Sequence, residues 1–189
     1  SELCLIHKAR ANGLEYFVLD DSNTQTLLLS NKLAGAKDHN PIKTAILRER
    51  PADVGTPLSA TYDDMIELIG VKMPQSVSRG GSFEMTLFYK VKKAIPGSWR
   101  VFAHFDGGQR FNGDHDPIRG RCATSFWQPG DYIVDTFSVN AGNVSFNKGA
   151  YTVYVGFFTG SNPNWRNMPV SQGDVGGNNR VKIGKLLLK

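Results

Sequence analysis

Histidine and cysteine are scarce in this chain: 189 residues carry four of the first and two of the second. So few cysteines exclude a disulfide-dense scaffold, and Cys4 and Cys122 stand too far apart for a CxxC or zinc spacing. They allow one intramolecular pairing, which would require an oxidising compartment. Cys122, in a strand-like stretch between Arg121 and Ala123, reads as a buried inert thiol. No apolar run approaches the roughly 20 residues of a membrane-spanning helix. No charged-then-apolar leader opens the sequence, so no export signal is expected in it. Acidic residues are nearly missing from residues 141–189, where Asp174 faces Lys148, Arg166, Arg180, Lys182, Lys185 and Lys189; the net charge of +5 resides there. Such a region either attracts an anionic partner or is a solvated strand edge studded with lysines. The cations are too sparse for the dense stripe of a nucleic-acid binder, so no nucleic-acid partner is expected.

Aromatics are also missing from the first third. Of 20, only Tyr16 and Phe17 precede position 61. Residues 14–30 read as a hairpin, with Asp20-Asp21-Ser22-Asn23 as its turn and Thr26 to Leu29 returning. Residues 31–60 contain Asn-Pro, Arg-Pro and Thr-Pro steps that break regular structure. Residues 1–57 are therefore expected to form a hairpin and extended strap packed on a β-sandwich domain of residues 58–189.

In that second part, side chains alternate with period 2. Phe83, Met85, Leu87, Tyr89 and Val91 fall on one face of Ser82–Val91. Trp99, Val101, Ala103 and Phe105 alternate with Arg100, Phe102, His104 and Asp106, and Tyr151, Val153, Val155 and Phe157 with Thr152, Tyr154 and Gly156. A strand lines such sets up and a helix scatters them. Ile66–Val71, Tyr132–Val139 and Val181–Leu188 read as further strands, and Gln128-Pro129-Gly130-Asp131 as a type II turn. Strands at this spacing, without intervening helices, predict an all-β antiparallel sandwich of jelly-roll or immunoglobulin-like kind. Phe88 and Phe102 fall on nominally outer faces, which the N-terminal strap is expected to cover.

The polar residues crowd between positions 104 and 116. His104, Asp106, Asp114, His115 and Asp116 could converge at a sheet edge and hold a divalent cation, the one cofactor considered; equally, the aspartates could cap turns before Pro117. His104-Phe105-Asp106 matches half of the facial triad of non-haem iron oxygenases, but no histidine follows His115 to complete it. There is no HExxH, no GxSxG and no phosphate loop. Asp131 and Asp135 share a face and could pair, although Asp131 suits the adjoining turn better. No catalytic residue is assigned on this basis. Trp165 lies in a long loop outside the alternation, so it either presents an aromatic face to a sugar or folds back as a lid on the core. Under the first reading Asn164, Arg166 and Arg110 are the polar groups expected to catch hydroxyls, giving Trp165, Arg166, Asn164 and Arg110 as the ligand-binding set.

Val101–Asp106, Gly113–Pro117, Trp127–Asp135, Tyr151–Phe158 and Asn179–Leu187 share a cadence. In it the chain resembles β-sandwich modules appended to large bacterial membrane proteins, including glycosyltransferase-like ones. The resemblance implies a soluble extracytoplasmic (periplasmic) piece of a longer, membrane-anchored chain, touching the membrane only through that parent. It transfers no catalytic residues. Three functions follow as expectations: a non-catalytic recognition or accessory module of an envelope protein with carbohydrate as ligand, a metal-assisted enzyme or metal-binding domain using the His104–Asp116 cluster, and a protein–protein scaffold.

Overall fold

The computed structural model describes residues 2–20, 22, 28–142 and 148–189, with nothing described of the Glu2 side chain. The chain opens with helix α1 (Glu2–Ala11), followed by strands β1 (Phe17–Asp20), β2 (Leu28–Ser30), β3 (Ile46–Leu47), β4 (Thr56–Tyr62), β5 (Ile66–Lys72), β6 (Ser76–Val77), β7 (Ser82–Val91), β8 (Arg100–Asp106) and β9 (Phe111–Asn112). A turn at Pro117–Gly120, in which Ile118 and Arg119 take left-handed backbone angles (φ 53° each), and a short 3₁₀ turn at Thr124–Phe126 precede β10 (Tyr132–Asn140), β11 (Gly149–Thr159), β12 (Arg166–Asn167), β13 (Val170–Gln172) and β14 (Val181–Leu188). One sheet runs β13-β4-β5-β7-β10-β3 and the other β6-β14-β11-β8-β9, with β12 added beside β11. β1 and β2 form a separate antiparallel pair, as read from the sequence, although Asp21, Asn23 and Thr26 lie outside the described residues. The all-β architecture expected from the alternation is the one observed.

The two sheets enclose an aromatic core. Phe157 lies 5.1 Å edge-on from Tyr62 and 5.2 Å from Tyr89, while Trp127 closes the cluster 6.4 Å from Phe157. Tyr62 on β4 donates its hydroxyl hydrogen bond across the sandwich to the Val155 carbonyl of β11 at 3.0 Å, so a buried phenol is satisfied and the layers are tied. The Gln128–Asp131 turn forms as expected, with Gly130 at φ 95° and the Asp131 amide donating to Gln128 O at 3.0 Å. Phe88 is covered as expected, by Val54 of the strap and Ile69. Phe102 is covered by residues 156–179 instead: its ring sits where a Cβ on Gly156 would be, beside Phe158.

Three expectations for the N-terminal third and its partner are corrected. Residues 2–11 are helical, built from good helix formers and ended by Gly13 at φ 77° with the Leu14 amide bonded to Ala9 O at 2.9 Å, a Schellman stop. The helix buries Leu3, Cys4 and Ile6, and its His7 bonds Asp131 at 2.7 Å. Docking α1 beside Thr124–Phe126 brings Cys4 within 5.2 Å (Cα–Cα) of Cys122, and the two form a disulfide rather than leaving Cys122 a free thiol. Thr56–Tyr62 is strand, because Pro57 sits beside a bulge opposite Gly70 and gives up no needed ladder bond. The basic β14 is not a bare edge either, since β6 pairs with its Leu187–Leu188 end. Among the described residues no helix is long and apolar enough to cross a membrane.

Candidate functional site

The outer face of the β8–β11 ladder carries the side chains that the core leaves behind. Along β8 these are Arg100, Phe102, His104 and Asp106, and the residues paired with them on β11 are Phe158, Gly156, Tyr154 and Thr152. Gly156 supplies no side chain, so the Phe102 ring lies flat over that gap and stacks on His104 at 4.6 Å and 26°. Beyond β11, the loop to β12 brings Trp165 within 5.3 Å of Phe158. Trp165 remains 51% exposed, so it is a wall of a surface hollow and not a lid on the core. Its neighbour two positions on, Asn167, points into the same hollow.

The result is one cleft with two hollows, sharing Phe102, His104, Trp165 and Asn167. The larger, about 560 Å³, is closed by Arg100, Asp114 and Phe158. The other, about 330 Å³, is closed by Arg110, Asn178, Asn179 and Arg180. Both fall within the size range of small-molecule sites. Fixed contacts hold the walls. Asn167 donates its side-chain amide to Asn178 O at 2.8 Å. Arg180 lies 4.0 Å over the Tyr154 ring and donates to Asp106 at 2.7 Å, while Arg110 makes a forked pair with the same carboxylate. Burial alone would raise the Asp106 pKa, but the two guanidiniums hold it below the ordinary carboxylate value.

His104 faces this cleft and is pushed the other way. Burial lowers its pKa, and the positive charges of Arg110 and Arg180 add to the effect against the opposing pull of Asp114, 3.7 Å away. Its Nδ1 is buried with no hydrogen-bond partner among the described residues. The imidazole is therefore a neutral polar group at pH 7.

The five residues read as a metal set are not brought together. Asp106 is spent on Arg110 and Arg180, and Asp116 on Arg100 at 3.1 Å. Asp114 stays with His104 and the Ala103 amide. His115 turns away into the sandwich, where it stacks on Phe137 at 3.8 Å and bonds Asp135 at 2.9 Å. The reason is strand geometry: the segment returning from β9 alternates, so Asp114 faces out and His115 faces in. Among the described residues no three His, Cys, Asp or Glu side chains are grouped to hold a metal ion. Asp131 and Asp135 do not pair: Asp131 accepts from the Gln128 amide and His7, Asp135 from Ile118 N and His115.

Of the ligand-binding set, Trp165 and Arg110 line the cleft. Arg166 does not, because it alternates with Trp165 and Asn167 and lies over Trp99 at 5.3 Å. Asn164 is exposed in the loop outside the cleft lining, its carbonyl packed against Gly160. Sequence reading missed Phe158, Asn178, Asn179 and Arg180. Continuing the β11 alternation by one step would have placed Phe158 outward; nothing local marks the other three.

The inward histidine yields a measurable pH dependence. Both ring nitrogens of His115 face acceptors, Gly113 O at 2.8 Å and the Asp135 carboxylate at 2.9 Å, so only the imidazolium satisfies both. Burial lowers its pKa, but the hydrogen bond and charge of Asp135 outweigh burial, and the value is raised above 6.5. A folded-state pKa raised above the unfolded one contributes stability that is complete below pH 6.5 and is lost as pH rises through the raised value. Wild type is expected to lose its stability advantage over His115→Gln between pH 6 and pH 9 in urea unfolding. A constant difference across that range would contradict the charged pair.

No protein-family model and no curated protein matches the chain. Among solved structures it is similar to a β-glucosidase from Listeria innocua in complex with glucose, at a TM-score of 0.32 and 16% identity over 63% of this chain and 16% of that one. The same enzyme in complex with gluconolactone gives a TM-score of 0.29 and 13% identity over 66% of this chain and 16% of that one. Likeness this slight carries no argument about activity.

Proposed function

We propose that this domain is a non-catalytic carbohydrate-recognition module of a larger bacterial envelope protein, working outside the cytoplasm. The observation that carries the reading is the exposed Trp165, set beside Phe158 and Phe102 as an aromatic wall and floor and ringed by Arg100, Arg110, His104, Asp114 and Asn167. A sugar ring has an apolar C–H face and an edge of hydroxyls. Aromatic surfaces take the first, and planar polar side chains take the second. The Cys4–Cys122 disulfide supports an oxidising compartment, as an envelope location requires. Asp106 is held ionised by two guanidiniums, which suits it to fixing the cleft wall and not to the role of proton-donating carboxylic acid of a glycosidase.

The test is a glycan-array screen followed by titration of the best ligand, with Trp165→Ala alongside wild type. The substitution is expected to weaken binding about tenfold or more, the equivalent of ~1.4 kcal/mol. Because the side chain is half exposed, unfolding stability should change by less than about 0.5 kcal/mol. A domain that binds no glycan, or whose binding is indifferent to Trp165→Ala, overturns the carbohydrate assignment.

A further inference from the structure

We infer that the cleft selects an acidic oligosaccharide, holding an anionic substituent at its Arg110–Arg180 end while an adjoining ring stacks at its Trp165–Phe158 end. This rests on the carbohydrate reading above and goes further, because the two hollows differ in charge. Arg110 and Arg180 share one carboxylate, Asp106, which leaves their end with an excess positive charge. At the other end the single guanidinium of Arg100 is paired with Asp116, and Asp114 lines the hollow beside His104, so no excess positive charge remains there. The cleft is thus polarised along its length, and a ligand with charge on one ring would lie in it one way round.

The guanidiniums also keep donors in reserve. Arg110 spends Nε and Nη2 on Asp106, and Arg180 spends Nη1 on Asp106 and Nε on the Gly176 carbonyl. Among the described residues the remaining terminal nitrogens, Nη1 of Arg110 and Nη2 of Arg180, have no partner. Both residues line the smaller hollow with Asn178 and Asn179. Two fixed guanidiniums with unspent N–H groups are the arrangement that binds a carboxylate or sulfate through charge-assisted hydrogen bonds. His104, neutral between the hollows, adds no competing charge to the middle of the cleft. The surplus of lysine and arginine in residues 141–189 extends the same attraction over a longer range. Because the two hollows adjoin at Phe102, His104, Trp165 and Asn167, a ligand filling both spans more than one ring.

The experiment is an array of matched glycan pairs: uronate oligosaccharides with their carboxyl-reduced counterparts, and sulfated glycans with desulfated ones. Acidic members are expected to bind at least about tenfold more tightly than their neutral partners. Arg110→Gln should bring the acidic-over-neutral ratio of each matched pair close to one, and because the two members of a pair are compared on the same variant, any general loss of affinity cancels. Inorganic sulfate, added as a competitor, should displace the acidic ligand only weakly, since it has no ring to stack. Equal binding of both members of each pair, a preference that survives Arg110→Gln, or displacement by sulfate at equal concentration overturns this inference; if binding still depends on Trp165, the broader carbohydrate reading stands. Absence of binding to every glycan overturns both.

Discussion

Reducing the Cys4–Cys122 bond is expected to lower the unfolding free energy by about 4–5 kcal/mol, the loop-closure value for a crosslink of this span. The two cysteines are 118 positions apart in sequence and fully buried. Most of the unfolded chain is therefore restrained by the bond. A natural domain has only about 5–15 kcal/mol to lose, so the change would be large. The bond also fastens α1. That helix otherwise holds on through Leu3 and Ile6, the 2.7 Å His7–Asp131 bond and the 3.7 Å Arg10–Asp38 pair. Urea unfolding with and without reductant measures the difference directly. A shift below about 1 kcal/mol would contradict the loop-closure account of the bond, and two free thiols in the unfolded, unreduced protein would remove its support for an oxidising compartment.

The second large effect is expected at Asp135, the fully buried carboxylate of β10. It accepts the Ile118 amide at 2.8 Å and pairs with His115 at 2.9 Å. Asp135→Ala strands a buried amide and a charged imidazole together, at a cost of about 3–5 kcal/mol. Adding His115→Gln to the alanine variant should recover part of that loss, because it removes the uncompensated charge but not the orphaned Ile118 amide. Thermal unfolding of the single and double variants separates the two contributions. A double variant no more stable than Asp135→Ala would mean that the lost acceptor for Ile118, and not the lost pairing with His115, carries the cost. The consequence reaches the cleft, since the Gly113–Asp116 segment held by this pair also carries Asp114 outward.

Alternation made the sandwich legible. β7 and β14 begin and end where the sequence pattern places them; on β7 the aromatic and aliphatic residues line one face without interruption, whereas on β14 a bulge near Gly184 shifts the buried set from Val181 and Ile183 to Leu186 and Leu188. α1 was hidden by its weak pattern: Leu5 is exposed between buried Cys4 and Ile6, so no continuous apolar stripe advertises a helix. Its stop signal, Gly13, was visible but reads as a turn without the helix before it. The disulfide depends on docking that helix, and no spacing rule could supply it. In the site, Trp165 was legible as an aromatic out of register, and Arg110 as a cation near it in the fold. Arg180 was not, because it meets Asp106 across 74 positions of sequence, through pairing of strands on either side of β11. The metal reading failed for a related reason. Nearness in sequence suggested one cluster, and the alternation of the segment after β9 divided it between two faces.

Placement of ligand against Trp165 is open to a direct measurement, since the chain has three indoles in three settings. Trp127 is buried, Trp99 donates its indole N–H to Pro96 O at 3.0 Å, and Trp165 is exposed on the cleft wall. In a two-dimensional ¹H–¹⁵N spectrum of the ¹⁵N-labelled domain, titration with an acidic oligosaccharide should move the Trp165 indole peak progressively and leave those of Trp99 and Trp127 in place. Movement of Trp99 or Trp127 with Trp165 unmoved, or three stationary peaks at saturating ligand, would contradict a sugar-binding cleft on this face.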